Sequence, residues 1–289
     1  MDVYAIVTEK IINLLEEGVV PWRRPWVTTG LPRNLISKKP YRGVNLFLLS
    51  ASNYVSPYWL TIRQAAQLSG YVRRGEKGTL IVYWKIEGKE PADIDTQEME
   101  QERRPRFLLR YYRIWNVEQC DLPQKIVDKL PRTEAHEHTP IEAAEQIVSA
   151  MPMRPQIVRV GSKAFYNATN DRITLPPSRL FISAEEEACM TLHEISHASG
   201  HPKRLNRQSI TEAAPFGSPT YSFEEIIAEM SAAYLCAEAG ISPAVIQNES
   251  AYIQGWLGQL RSDRRLLVRA ATHAQRAADY ITGRIITSP

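Results

Sequence analysis

His193 and His197 stand four residues apart in the stretch Thr191-Leu192-His193-Glu194-Ile195-Ser196-His197, with Glu194 between them. On an α-helix this spacing sets both imidazoles on one face, about one turn apart, where they can share a metal ion. Glu194 projects from the neighbouring position and can touch a water on that metal, so it is the candidate general base of a metal-assisted hydrolysis. The sequence around the motif supports a helix. Ser183 followed by Glu186 reads as a capping box, Gly200 marks the end, and Ala188, Met190, Leu192 and Ile195 supply a buried face.

Zinc needs a third protein ligand, and a catalytic site leaves its fourth position to water. A metzincin pattern would place another histidine six residues after His197, but Lys203 stands there and His201 falls two residues short. The segment Glu224-Glu225-Ile226-Ile227-Ala228-Glu229 instead resembles the Asn-Glu-x-x-Ser-Asp segment of the thermolysin-like (gluzincin) peptidases. By that match Glu225 is the third ligand and Glu229 orients a histidine from behind. Two alternatives stay open. Ser222 and Glu225 also read as a capping box, which would engage the Glu225 carboxylate at a helix start, and Glu229 shares a face with Glu225 and is an alternative ligand. A solvated acidic helix start accounts for Glu224 better than for a carboxylate beside Ile226, Ala228 and Met230. Tyr221, Tyr234 and His201 are candidate oxyanion donors that no spacing distinguishes.

The elements that must position these groups occupy a chain of 289 residues, 44% hydrophobic and 23% charged, which suits a soluble protein of two domains. No apolar run reaches membrane-spanning length, and the N-terminus reads as an amphipathic helix over residues 2–17 rather than a signal peptide, so the expected compartment is the cytoplasm. Cys120, Cys189 and Cys236 are widely spaced and read as reduced core thiols.

Net charge is only +3, yet it is unevenly spread. Val20 to Lys85 holds eleven basic residues and one acid, Glu76, whereas Glu87 to Glu102 holds seven acids and one lysine. The acidic stretch reads as a solvated loop between strands at Thr79 to Lys85 and Arg106 to Val117. A short helix is expected over Thr61 to Leu68, with Thr61 and Gln64 as its capping box. Pro123 to Pro140, with the solvent-exposed His136 and His138, is the likeliest stretch for a linker. Beyond it, Thr139-Pro140-Ile141-Glu142 starts a helix, and three short strands follow at Gln156 to Val160, Ala164 to Asn167 and Arg172 to Leu175. Helices are expected over Glu224 to Ala239, Ala251 to Leu260 and Arg265 to Thr282, with Arg261, Arg264, Arg265 and Arg269 on a solvated face.

The basic region is also aromatic. Rings stack on unpaired bases while Arg and Lys follow phosphates, the recipe for binding single strands without reading sequence. Half or more of these aromatics should be core. Trp22 and Trp26, flanked by proline and by Arg23 and Arg24, are the best candidates for exposure. With them, Lys38, Lys39, Tyr41, Arg42, Arg73, Arg74 and Lys77 make up the expected DNA-binding set.

Pro21-Trp22 with Pro25-Trp26, Tyr41-Arg42-Gly43-Val44-Asn45, Trp59-Leu60-Thr61, Gly75-Glu76-Lys77-Gly78 and Trp115-Asn116-Val117-Glu118-Gln119 precede the His193 helix. With Gly200-His201, Arg204-Leu205 and Glu224 to Glu229, they closely resemble the ArdC-type antirestriction proteins of conjugative plasmids. The first part is also similar to a domain of TraC-type plasmid primases. The resemblance implies an α+β chain of two domains: a single-stranded DNA-binding domain over 1–130, a linker over 131–139, and a zincin-like metallopeptidase domain over 140–289. It implies protection of incoming plasmid DNA from host restriction. The expected cofactor is zinc, with manganese possible. The expected partners are single-stranded DNA and a protein substrate, with a host restriction component as the candidate, and no membrane. The alternative is a non-proteolytic single-strand shield whose metal site is structural or regulatory.

Overall fold

The computed structural model describes residues 2–23, 31–52, 54–87, 106–130, 139–212, 218–242 and 250–284. Helix α1 (Val3–Glu16) begins where the Asp2 carboxylate accepts the Tyr4 and Ala5 amides. Its heptad-like apolar positions Val3, Val7, Ile11 and Leu15 are buried, and Gly18, at φ +77°, turns the chain out of it. Pro21–Arg23 form a 3₁₀ turn.

Four strands make the first sheet, in the order β1 (Arg33–Asn34), β2 (Tyr58–Leu60), β5 (Arg106–Asn116), β4 (Thr79–Glu87), with β1 and β2 parallel and the other pairs antiparallel. The β4–β5 ribbon runs in unbroken register from Thr79 opposite Ile114 to Glu87 opposite Arg106. Strand β4 lies at the edge. There Asn45, on helix α2 (Val44–Ser50), pairs both ends of its carboxamide with the Val82 backbone at 2.7 Å, occupying the exposed edge. Helix α3 (Ile62–Gln67) has the expected Thr61/Gln64 capping box. A small ribbon of β3 (Tyr71–Val72) and β6 (Cys120–Asp121) and the short helix α4 (Gln124–Val127) complete this half.

In the second half, helix α5 (Pro140–Ala150) starts on the expected Thr139/Glu142 capping box. A three-stranded sheet follows in the order β7 (Gln156–Arg159), β9 (Arg172–Leu175), β8 (Phe165–Asn167). Helix α6 (Ala184–Ala198) carries the histidines, with its Glu186 amide held by the Ser183 hydroxyl. The short α7 (Gln208–Thr211), then α8 (Pro219–Ala239), α9 (Ser250–Ser262) and α10 (Leu266–Ile281) follow. No described helix is long and apolar enough to cross a membrane.

Two expectations change here. Helix α8 begins five residues earlier than its apolar pattern suggests, because Ser218 caps the Tyr221 amide and Pro219 fills the first turn. Ser222 is therefore inside the helix, and the capping box that would have engaged Glu225 does not exist. Trp22 is not displayed on the surface: the 3₁₀ turn folds its indole inward to zero exposure, edge-on to Phe47 at 6.0 Å and to Trp256 of α9 at 5.4 Å. Phe47 in turn stacks on Tyr234 of α8 at 4.9 Å. One apolar cluster thus runs from α1 and α2 into α8, α9 and α10. The two domains share a core, and the Thr8 hydroxyl donating to Arg264 O at 2.9 Å adds a polar tie between them.

Candidate metal centre and the basic aromatic region

Helix α6 packs along α8, and this crossing brings the expected ligands together. His193 Nε2 and His197 Nε2 are 3.2 Å apart, Glu225 approaches them at 3.7 and 3.6 Å, and the three donor atoms lie within 4.8 Å of one another. Nε2 is thus the inward nitrogen of each ring. Glu229 lies outside this group, one turn further along α8. Glu194 is buried at 5% exposure, and no hydrogen bond or ion pair holds its carboxylate among the described residues.

Glu224 and Glu225 are adjacent on α8, so their side chains diverge by about 100°. Glu225 faces the histidines while Glu224 takes the position behind His197, 3.2 Å from its Nδ1. The carboxylate against the second-row nitrogen is therefore Glu224, and Glu224 is buried at 4% exposure rather than solvated. His193 Nδ1 has no hydrogen-bond partner among the described residues, and the carboxylate bonded to a ring nitrogen is Glu224. A carboxylate accepting from Nδ1–H leaves the Nε2 lone pair free for a metal.

Glu224 is itself held from behind. Arg207 donates from Nη2 to Oε1 at 2.5 Å and from Nε to Oε2 at 3.1 Å, and the Ser209 hydroxyl also donates to Oε2. Burial opposes a charged Glu224, but Arg207 and His197 hold its carboxyl down to about 2. Arg207 also donates to Ser199 Oγ at 2.7 Å and to the carbonyls of Ser196 and His197 at the end of α6. A Cβ at Gly200 would lie 2.8 Å from the Arg207 guanidinium carbon, so glycine there lets the loop pass over the arginine. Arg204 secures the same loop by bonding Ala198 O at 2.9 Å and Asp171 bidentately at 2.7 and 2.8 Å.

These residues fit a metal. Burial disfavours an imidazolium, yet Glu225, Glu224 and Glu194 push His197 up to about 9. Three carboxylates thus surround it against the one guanidinium of Arg207, and a buried excess of negative charge beside two inward imidazole nitrogens suits a divalent cation. Of the candidate oxyanion donors, Tyr234 is removed from the site. It stacks on Phe47 and lies near Arg42 and Asp279. His201 Nδ1 accepts the Lys203 amide at 3.2 Å.

Among the described residues, the expected DNA-binding side chains do not form one patch. Trp22 is core; the Arg23 side chain, Arg24 and Trp26 lie outside the described residues. Arg42 pairs with the buried Asp279 of α10, while the Gly43 amide donates to Gln275 at 3.1 Å, so this motif fastens the halves together. Arg73 is committed to Glu76 and to Glu118 O. Lys38 lies over the Tyr58 ring at 4.8 Å, and Lys39, Arg74 and Lys77 are exposed. Tyr41 is half-buried beside Ile81 and Ile114. The acidic stretch 88–105 and His136 and His138 lie outside the described residues.

Two family models match successive parts of the chain. The N-terminal domain of anti-restriction factor ArdC matches residues 1–115, and a zincin-like metallopeptidase matches 142–273. The crystal structure of the metal-free antirestriction protein ArdC of plasmid R388 superposes with a TM-score of 0.75 at 34% identity, covering 97% of each chain. This chain belongs to the ArdC family. The Mn(II)-bound structure of the R388 protein matches with a TM-score of 0.74 at 33% identity over the whole of both chains. An uncharacterized protein of Sinorhizobium fredii, y4eC, is 35% identical over 97% of this chain and 91% of its own. The DNA primase TraC of Escherichia coli is 35% identical over 95% of this chain, which spans only 26% of that primase.

Within this ArdC-family site, Arg207, Gly200, Ser209 and the role of Glu224 escaped the sequence. Arg207 lies ten residues beyond His197 with no periodic relation to it, and only the folded loop brings it under α6. The signal available was Ser218-Pro219, an N-cap and first-turn proline that move the start of α8 back and place Glu224 inside the helix and not at a solvated start.

Proposed function

We propose that the chain is a metallopeptidase of the ArdC family that binds single-stranded DNA and protects incoming plasmid DNA from restriction. What carries the peptidase reading is the convergence of His193, His197 and Glu225 with Glu194 beside them, its carboxylate taken up by no hydrogen bond or ion pair among the described residues. Two imidazoles and one carboxylate are the donor set of thermolysin-type zinc sites, and the Mn(II)-bound R388 structure supports manganese as a second candidate. The cation held there supplies Lewis acidity and makes water a nucleophile near neutral pH. Glu194 takes the proton of the attacking water on its carboxylate and returns it to the departing amine. Glu224, held by Arg207 and Ser209, keeps His197 in the tautomer and orientation that present Nε2.

DNA association is supported by the likeness to the TraC primase and by the basic, aromatic composition of residues 20–85. The protein substrate would be a host component met on the transferred strand. Glu194→Gln tests the reading. It should keep metal content and oligonucleotide binding but lower cleavage of a denatured protein substrate about 10²–10⁴-fold, and should abolish protection of plasmid DNA in a restricting host. Undiminished protection by this variant would instead favour the single-strand shield.

A further inference from the structure

The register of the β4–β5 ribbon sets Tyr83 opposite Arg110 and Ile81 opposite Tyr112, so all four side chains share a face. The inner part of that face is core, where Ile81 and Ile114 pack with Leu49 and Trp59. Further out the same face reaches solvent while remaining aromatic. Tyr83 is 44% and Tyr112 40% exposed, and their rings meet edge to face with centroids 5.4 Å apart. Tyr41 stands next in the row, half-buried, close enough for Tyr112 to act on its phenol; burial and that neighbour raise it to about 12, so it stays neutral. Arg110 is exposed and has no ion pair among the described residues.

Exposed tyrosines held ring against ring on a strand are already ordered, so stacking a base on them costs little further side-chain entropy. Tyr83 on β4 and Tyr112 on β5 are diagonal neighbours across the ribbon, a placement that lets both rings meet bases of one splayed strand. An exposed arginine opposite Tyr83 supplies the charge that a phosphate requires. A protein partner would be expected to bring an apolar anchor to an apolar pocket, and this face offers rings and cationic charge instead.

We propose that this row is the track for an unpaired DNA strand, with Tyr83 and Tyr112 stacking its bases, Arg110 taking a phosphate and Tyr41 closing the inner end. The proposal rests on the single-strand reading above and replaces the Trp22 region as its location.

The test measures binding of the full chain, metal content and thermal midpoint verified for each variant, to a fluorescent oligothymidylate over a range of salt, with a matched duplex as competitor. Tyr83→Ala with Tyr112→Ala should weaken binding about tenfold to a hundredfold, and Tyr83→Phe with Tyr112→Phe should restore it because the faces that stack remain. Arg110→Ala should reduce the slope of log affinity against log salt by roughly 0.7. If the wild type binds and the double alanine variant binds equally well, the track is elsewhere and only the location is overturned. Equal competition by duplex would overturn base stacking as the mode of binding. A wild type that does not bind would remove the single-strand reading itself.

Discussion

The pocket between α6 and α8 and the aromatic ribbon of β4 and β5 are built from opposite economies. In the pocket, ionisable groups are buried beside one another, an arrangement that folding alone disfavours. His193, His197, Glu194, Glu224 and Glu225 therefore point to chemistry as soon as their positions are known. On the ribbon, the functional vocabulary is aromatic, and an aromatic side chain is as well suited to a core as to a ligand. The sequence marks Trp22 for exposure and gives Tyr83 no such mark, yet Trp22 is sealed between the domains and Tyr83 faces solvent. Burial of charge identifies a site; burial of a ring merely identifies a fold.

The sharpest way to break this contrast is at Glu224. Replacing it with Ala leaves Arg207 buried without its counter-charge, at a cost of about 3–5 kcal/mol in denaturant unfolding, and frees the His197 ring, so metal affinity in a competition titration should fall about 10–100-fold. Oligonucleotide affinity of the folded fraction should not move. Trp22→Ala makes the converse case. It should cost about 3–5 kcal/mol through the cavity left between Phe47 and Trp256, with no loss of oligonucleotide affinity in the protein that remains folded. Lost affinity at full stability would restore Trp22 to the DNA surface and dissolve the distinction drawn here.

A smaller effect is expected at Asp171, which ties the loop behind the pocket to β9. Burial opposes its charge, but Arg204 and Tyr166 hold its carboxyl below the ordinary value. A folded pKa below the unfolded one contributes stability above the unfolded value, and that contribution disappears as the pH falls through the folded value. Urea unfolding should therefore become easier on acidification below about pH 4, less steeply in Asp171→Asn, which starts weaker at neutral pH. Identical pH profiles would show that Arg204 is held by its carbonyl contacts alone.

What was legible in the sequence follows the same division. Local signals read well: the Thr61, Thr139 and Ser183 caps, the three short strands around Gly161 and Asn170-Asp171, and the i, i+4 histidines all depend on neighbours within a few residues. Glu225 was readable only by analogy, since the start of α8 was misplaced and its face with it. Arg207, Arg42 and Trp22 were illegible for a shared reason. Each is a type that surfaces favour or tolerate, and each is committed to a partner elsewhere in the chain, Glu224, Asp279 and Trp256; Arg207 and Trp22 are buried, while Arg42 stays exposed. The exposed tyrosines became visible only once strand register fixed which side chains share a face.

The indole contact between Trp22 and Trp256 and the Arg42 grip on Asp279 also bear on inheritance. A chain whose halves complete each other's interior cannot be shuffled by cutting at the polar stretch near residue 131, because either fragment would carry an open apolar face. Recombination that preserves function has to move both halves together. The TraC primase matches this chain as one block of 297 aligned residues within a far larger protein. In that light the fused core sets the size of the cassette, and the site and the ribbon travel as a single heritable unit.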